Sequence, residues 1–141
     1  GIAVAPPVSN RVGIHALLLS FGKQAQGSGA DWTTELKAAK QRDWVTEDLH
    51  PSETARVGLV ARVVCIETGI KGGATMRMFG PVERYAVKEL NYMGWLNDMT
   101  ASQTISGGQM IAVVSKAEER IAGKADPGPD GLLKPGGIGG P

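Results

Sequence analysis

Cys65 is the chain's single cysteine, and His15 and His50 are its two histidines. A thiol beside an imidazole that draws off its proton is the smallest nucleophilic pair a protein can build. Cys65 stands between Val64 and Ile66 in the most apolar stretch of the chain, however, and a free cysteine so placed behaves as a small buried hydrophobe. His50 directly precedes Pro51 and reads as an exposed residue at a helix entry. The H-x-x-x-H and C-x-x-C spacings that set metal ligands on one face are missing. The carboxylates Glu118 and Glu119 read as solvated helix surface, and Asp126 and Asp130 as turn residues. The expectation is a non-enzymatic chain with no metal and no cofactor.

Residues 69–75, GIKGGAT, are the stretch most like a phosphate cradle, because glycines let backbone amides approach an anion while Lys71 and Thr75 add charge and a hydroxyl. Their order is not G-x-x-x-x-G-K-[ST], and a helical pattern precedes them, so a hinge between helices is the plainer reading. Lys71, Arg77, Arg84 and Lys88 gather around this hinge. Arg84 and Lys88 are like charges at i, i+4, which repel unless an anion or carboxylate lies opposite. These four residues form the candidate phosphate- or nucleic-acid-binding set. A formal charge of +1 supplies no bulk attraction toward nucleic acid, and the bland alternative is a solvated or subunit-pairing face.

The elements that must position these residues follow from composition and period. With 141 residues, 42% hydrophobic and 21% charged, the chain has the make-up of one globular domain able to bury a core. No apolar run approaches the roughly 18 residues a membrane span needs, and one cysteine rules out an internal disulfide. Residue 1 is glycine, which points to a processed or trimmed chain. Five segments carry a helical period. The first follows Ser9-Asn10 through Val12, Ile14, Leu17 and Leu18 toward the glycines at 27 and 29. The second is capped by Asp31 and runs to about Val45. A third opens at Pro51, and Gly69 supplies its C-terminal stop. The fourth covers residues 82–99, and its wide apolar surface marks it as the central helix. After a loop at 102–108, the fifth places Met110, Val113, Val114, Ala117 and Ile121 on one stripe. The chain carries no evident internal repeat.

The expected fold is all-α, a single bundle of four to five helices over residues 9–124. An extended N-terminal arm occupies residues 1–8, and a Gly/Pro-rich C-terminal arm residues 125–141. An α+β arrangement, with a hairpin formed by residues 57–66 and 74–79, is the fallback. Proline lacks an amide donor and glycine costs the most entropy to order, so neither arm makes a regular element by itself. Ile2, Val4, Leu132, Leu133 and Ile138 are the apolar side chains the arms offer to a neighbour. The functional expectation is a structural subunit of a larger protein assembly, such as a virion, a pilus or a secretion machine. Its partners would be copies of itself or other protein subunits.

Overall fold

The computed structural model describes residues 6–22, 31–70 and 82–125. Among them are five helices: α1 Asn10–Leu17, continued by a π-helical turn Leu18–Gly22; α2 Trp32–Gln41; α3 Val57–Thr68; α4 Glu83–Tyr92; and α5 Gly107–Ala125. The protein is a small all-α bundle. The hairpin fallback is overturned, because Val57–Thr68 is one helix, while residues 74–79 lie outside the described residues.

Local chemistry sets the helix ends. The Ser9 hydroxyl accepts from the Val12 N–H (3.1 Å) and the Asp31 carboxylate from the Thr34 N–H (2.8 Å), two ordinary N-caps. The hydrogen bonds from Thr34 hold the Asp31 carboxyl below its usual range. Helix α5 begins three residues before the stripe opening at Met110, because Ser106 and Gln109 form a capping box. The Gln109 N–H donates to the Ser106 hydroxyl (3.1 Å) and the Ser106 N–H to Gln109 Oε1 (2.9 Å). That box overrides the helix-weakening Gly107 and Gly108.

Two helices end earlier than their apolar patterns suggest. Helix α4 stops at Tyr92 and not at 99, because the Gly94 N–H bonds the Asn91 carbonyl while the Trp95 N–H bonds that of Leu90. This Schellman closure needs a left-handed residue, and Gly94 has φ 82°. Helix α2 ends in the same closure, with Asp43 at φ 68° and the Trp44 N–H bonded to the Ala39 carbonyl.

Helix α3 starts at Val57 and not at Pro51, and the reason is the central feature of the fold. Three short segments, at residues 7–9, 54–56 and 104–106, meet end to end through isolated β-bridges joining Pro7 to Ser106, Ser9 to Thr54 and Arg56 to Thr104. Ala55 donates its N–H to the Val8 carbonyl (2.7 Å), Val8 to Ile105 (2.9 Å) and Ile105 to Ala55 (3.1 Å), which closes a ring of three hydrogen bonds. Each segment leads directly into a helix: α1, α3 or α5. The turn before the second segment receives the Asn10 and Arg11 N–H groups on its Glu53 and Pro51 carbonyls. The turn before the third receives those of Val57 and Gly58 on its Gln103 and Ala101 carbonyls. The free donors of a helix start are thereby satisfied, so α3 needs no side-chain cap at Arg56.

The chain is therefore built from an internal repeat that the sequence analysis did not find. A repeat unit is a ring segment, a leading helix, a flanking helix, a left-handed turn and a tryptophan. The first unit uses α1, α2 and Trp44, the second α3, α4 and Trp95, and the third begins with α5. Pro7 and Val8, placed in the N-terminal arm by composition, are stitched into the domain through this ring.

The core lies on α3, not on α4. Val57, Leu59, Val60, Val63, Val64 and Cys65 are all buried, as expected for a helix that is apolar around most of its circumference. Helix α3 packs against α4 and α5, and α2 against α1. Helix α4 buries only Ala86, Val87 and Leu90.

Candidate functional site

The sequence-derived binding set is not assembled within the described residues. Arg84 and Lys88 are exposed on α4, and the Arg84 guanidinium stacks 5.2 Å from the centre of the Tyr85 ring. Lys71 and Arg77 lie outside the described residues, as do Ile2, Val4, Leu132, Leu133 and Ile138.

Cys65 is 2% exposed. Burial, with a smaller contribution from the Glu89 charge, pushes its thiol up from 9.0 to about 12, so the sulfur stays protonated and a poor nucleophile. Both imidazoles are engaged elsewhere: His15 Nδ1 lies 2.5 Å from Glu35 Oε2, and the His50 ring meets the Ser52 hydroxyl at 2.9 Å. Among the described residues, no group of three or more His, Cys, Asp or Glu side chains is arranged to hold a metal ion.

The best-built polar cluster is structural. Glu67 of α3 receives two hydrogen bonds from Arg42 (2.8 and 3.2 Å) and one from the Trp44 indole N–H (2.8 Å). Arg42 also reaches the Phe21 carbonyl at 3.2 Å. Trp44 is fully buried, and its ring meets Phe21 edge-on with centroids 6.5 Å apart. The cluster ties the end of α2 to α3 and to the π-helical turn after α1, so its hydrogen bonds serve to hold elements together.

What stands open is an apolar groove of about 140 Å³ between α1 with its π-helical turn and α5. Ala16 and Ser20 form one wall, and Met110, Ile111, Val114 and Glu118 the other. Ile111 is 65% exposed, Val12 on α1 is 53% and Leu19 on the π-helical turn 45% exposed. An apolar groove edged by a side chain as exposed as Ile111 is a mark of a contact surface. The chain matches no family model, no curated protein and no solved structure. The reading of this site therefore rests on the site's own geometry.

The groove occupies a defined place in the repeat. A flanking helix covers its own leading helix and is tied to the next unit. Helix α2 pairs Glu35 with His15 on α1 and reaches α3 through Arg42, Trp44 and Glu67. Helix α4 packs along α3, while its Asn91 side chain grips both backbone polar groups of Met99 on the way to α5. Among the described residues, α5 has no flanking helix, and the corresponding place between α5 and α1 is the groove. Aligned on the ring, Ile14, Leu18 and Phe21 correspond to Ala61, Cys65 and Thr68 in the second unit, all buried. Their third-unit counterparts are Ile111, Ser115 and Glu118, all exposed. The one sequence signal for this site was Ile111 itself, an apolar residue off the stripe that α5 buries.

Proposed function

We propose that this protein is a structural subunit that packs into a larger protein assembly through apolar helix faces and its terminal arms. The observation that carries this reading is the groove lined by the exposed Ile111, with Val12 and Leu19 also exposed on the first helix and its π-helical turn. Exposed apolar surface of this kind costs solvation free energy in a lone monomer and is repaid when another surface covers it. The ring and the Glu67 cluster suit a scaffold: their polar groups brace elements against each other. The arms add Ile2, Val4, Leu132, Leu133 and Ile138 as apolar side chains able to enter a groove, and their prolines reduce the entropy lost on docking. Copies of the same chain or other protein subunits are the partners this surface fits, in a virion, a pilus or a secretion machine.

Light scattering across a concentration series tests the reading. The full chain should gain mass with concentration, and Leu19→Asp should suppress that gain without lowering the melting temperature, because Leu19 is half exposed in the subunit. A monomer at every concentration, with no partner subunit retained during gentle purification, would refute it. The alternative, an anion- or nucleic-acid-binding module, predicts instead an oligonucleotide affinity that falls steeply with salt and drops in the double variant Arg84→Ala, Lys88→Ala.

A further inference from the structure

We infer that the groove between α1 and α5 is a socket for Tyr92 of a second copy of the chain, with Lys88 of that copy lying against Glu118. This inference rests on the assembly reading and names its contact. The most exposed large apolar side chains among the described residues stand in two places. Val12, Leu19 and Ile111 belong to α1, its π-helical turn and α5, the elements that form the groove, whereas Val82 and Tyr92 stand at the two ends of α4. Tyr92 is 87% exposed, so its ring fills no pocket of its own chain. The turn after it is open as well, since a Cβ at Gly94 would meet no heavy atom within 4 Å.

Size and chemistry fit the ring to the groove. Its volume of about 140 Å³ is close to the roughly 150 Å³ of an apolar cavity that takes up one benzene molecule. Met110, Ile111 and Val114 line it, and a methionine sulfur makes a favourable contact with an aromatic ring. Ser20 and Ser115 stand on its walls and offer hydroxyls to the phenol O–H, which needs a partner once buried.

Charge fixes the direction of docking. Lys88 stands one helical turn before Tyr92 on the same exposed face of α4, and Glu118 stands one turn after Val114 on α5. Four residues of helix rise about 6 Å in each case, so a neighbour's α4 lying antiparallel to α5 seats Tyr92 beside Val114 and Lys88 beside Glu118 together. Neither charge has an opposite one on its own helix. The residues three and four away from Lys88 are Arg84, Tyr85, Asn91 and Tyr92, and those around Glu118 are Val114, Ser115, Ile121 and Ala122. No ion pair among the described residues engages either side chain. The like charges Arg84 and Lys88 thereby gain the opposing carboxylate that relieves their repulsion. Arg84, a further turn along, faces the end of α5, where the helix dipole favours a cation. Tyrosine and socket lie on different elements, so the contact is heterologous and passes from copy to copy.

The test is light scattering across a concentration series on the full chain and its variants, each first checked for an unchanged melting temperature. Tyr92→Asp and Ile111→Asp should each stay monomeric at concentrations where the wild type gains mass. An equimolar mixture of the two should form a dimer, because the first retains an intact socket and the second an intact tyrosine. Lys88→Glu and Glu118→Lys should each weaken association about tenfold, and the two combined in one chain should restore it. Assembly of Tyr92→Asp like the wild type, while Leu19→Asp does not assemble, would give the groove another occupant; it would overturn this contact and leave the assembly reading standing. A mixture that stays monomeric would overturn the contact too. A wild type that is monomeric throughout would overturn it as well, and refutes the assembly reading only if no partner subunit is retained on gentle purification.

Discussion

At the scale of single residues, the environment of Cys65 makes a signed prediction. The folded thiol is pushed up from 9.0, the ordinary value of an unfolded cysteine, to about 12. The folded state thus favours the protonated form, and this contribution is complete below the unfolded value. It is lost as pH rises toward the folded value, at up to about 1.4 kcal/mol per pH unit. Denaturant unfolding at about pH 8 and about pH 10 should show the wild type losing more stability than Cys65→Ala over that interval. The same thiol should resist labelling in the native protein, and rapid labelling without denaturant would contradict its burial.

The left-handed turn residues offer a second comparison at this scale. A Cβ at Gly94 would meet no heavy atom within 4 Å, so Gly94→Ala isolates the backbone cost of φ 82°. It should lower stability by about 1 kcal/mol. Asp43 occupies the same turn position in the first unit at φ 68°, and Asp43→Gly should be neutral or stabilising by up to about 1 kcal/mol. Its carbonyl, which accepts from Arg62 at 2.9 Å, is retained in that variant. Chemical denaturation of both variants measures the difference directly.

At the scale of elements, two helix glycines that look alike in sequence should respond oppositely to alanine. A Cβ on Gly58 would lie 2.6 Å from Glu83 Oε1, 2.9 Å from Glu83 Cβ and 3.1 Å from Ala101 Cβ. Gly58→Ala must therefore displace the start of α4, including the two-pronged Arg56–Glu83 pair at 2.5 and 2.9 Å, and should cost about 1 to 3 kcal/mol. A Cβ on Gly13 would meet Ala55 Cβ at 3.5 Å and Met110 Sδ at 3.9 Å, ordinary contacts. Gly13→Ala should instead add up to about 1 kcal/mol through helix propensity. The packing of α4 and α5 is checked by Leu90→Ala, expected to cost about 2 to 5 kcal/mol, and by Val113→Ala, about 1 to 3 kcal/mol. Leu90 is 0% and Val113 1% exposed. Lys116→Ala, on the wet side of α5, should leave stability nearly unchanged, and equal effects at all three positions would disprove this packing.

At the scale of the whole molecule, the ring joins all three units through main-chain hydrogen bonds. Ala55→Pro removes the N–H that donates to Val8 at 2.7 Å, at a fully buried position. It should cost about 3 kcal/mol or more. Because α1, α3 and α5 all spring from the ring, the loss should lower one cooperative transition and not melt one unit alone. Coincidence of tryptophan fluorescence and circular dichroism checks this, since separate transitions would mean the units are independent. The same ring leaves α5 at the edge of the repeat, with Ile111 exposed on its outer side.

The sequence by itself determined what depends on neighbours a few residues away. The helical periods, the cap at Asp31, the Gly69 stop and the burial of Cys65 were all legible, because each rests on contacts within a turn or on local apolar density. The all-α class followed from them. Only the tertiary structure decided the rest. The ring pairs residues as far apart as Val8 and Ile105 through backbone N–H and carbonyl groups, which every residue carries and no side chain advertises. The S-E-T and S-Q-T triplets ending at Thr54 and Thr104, and the tryptophans at 44 and 95, were the faint trace of that repeat. Unequal connections between leading and flanking helices hid their register. Ring pairing, in turn, delayed the start of α3 to Val57, moved the centre of the core from α4 to α3, and opened the groove beside α5.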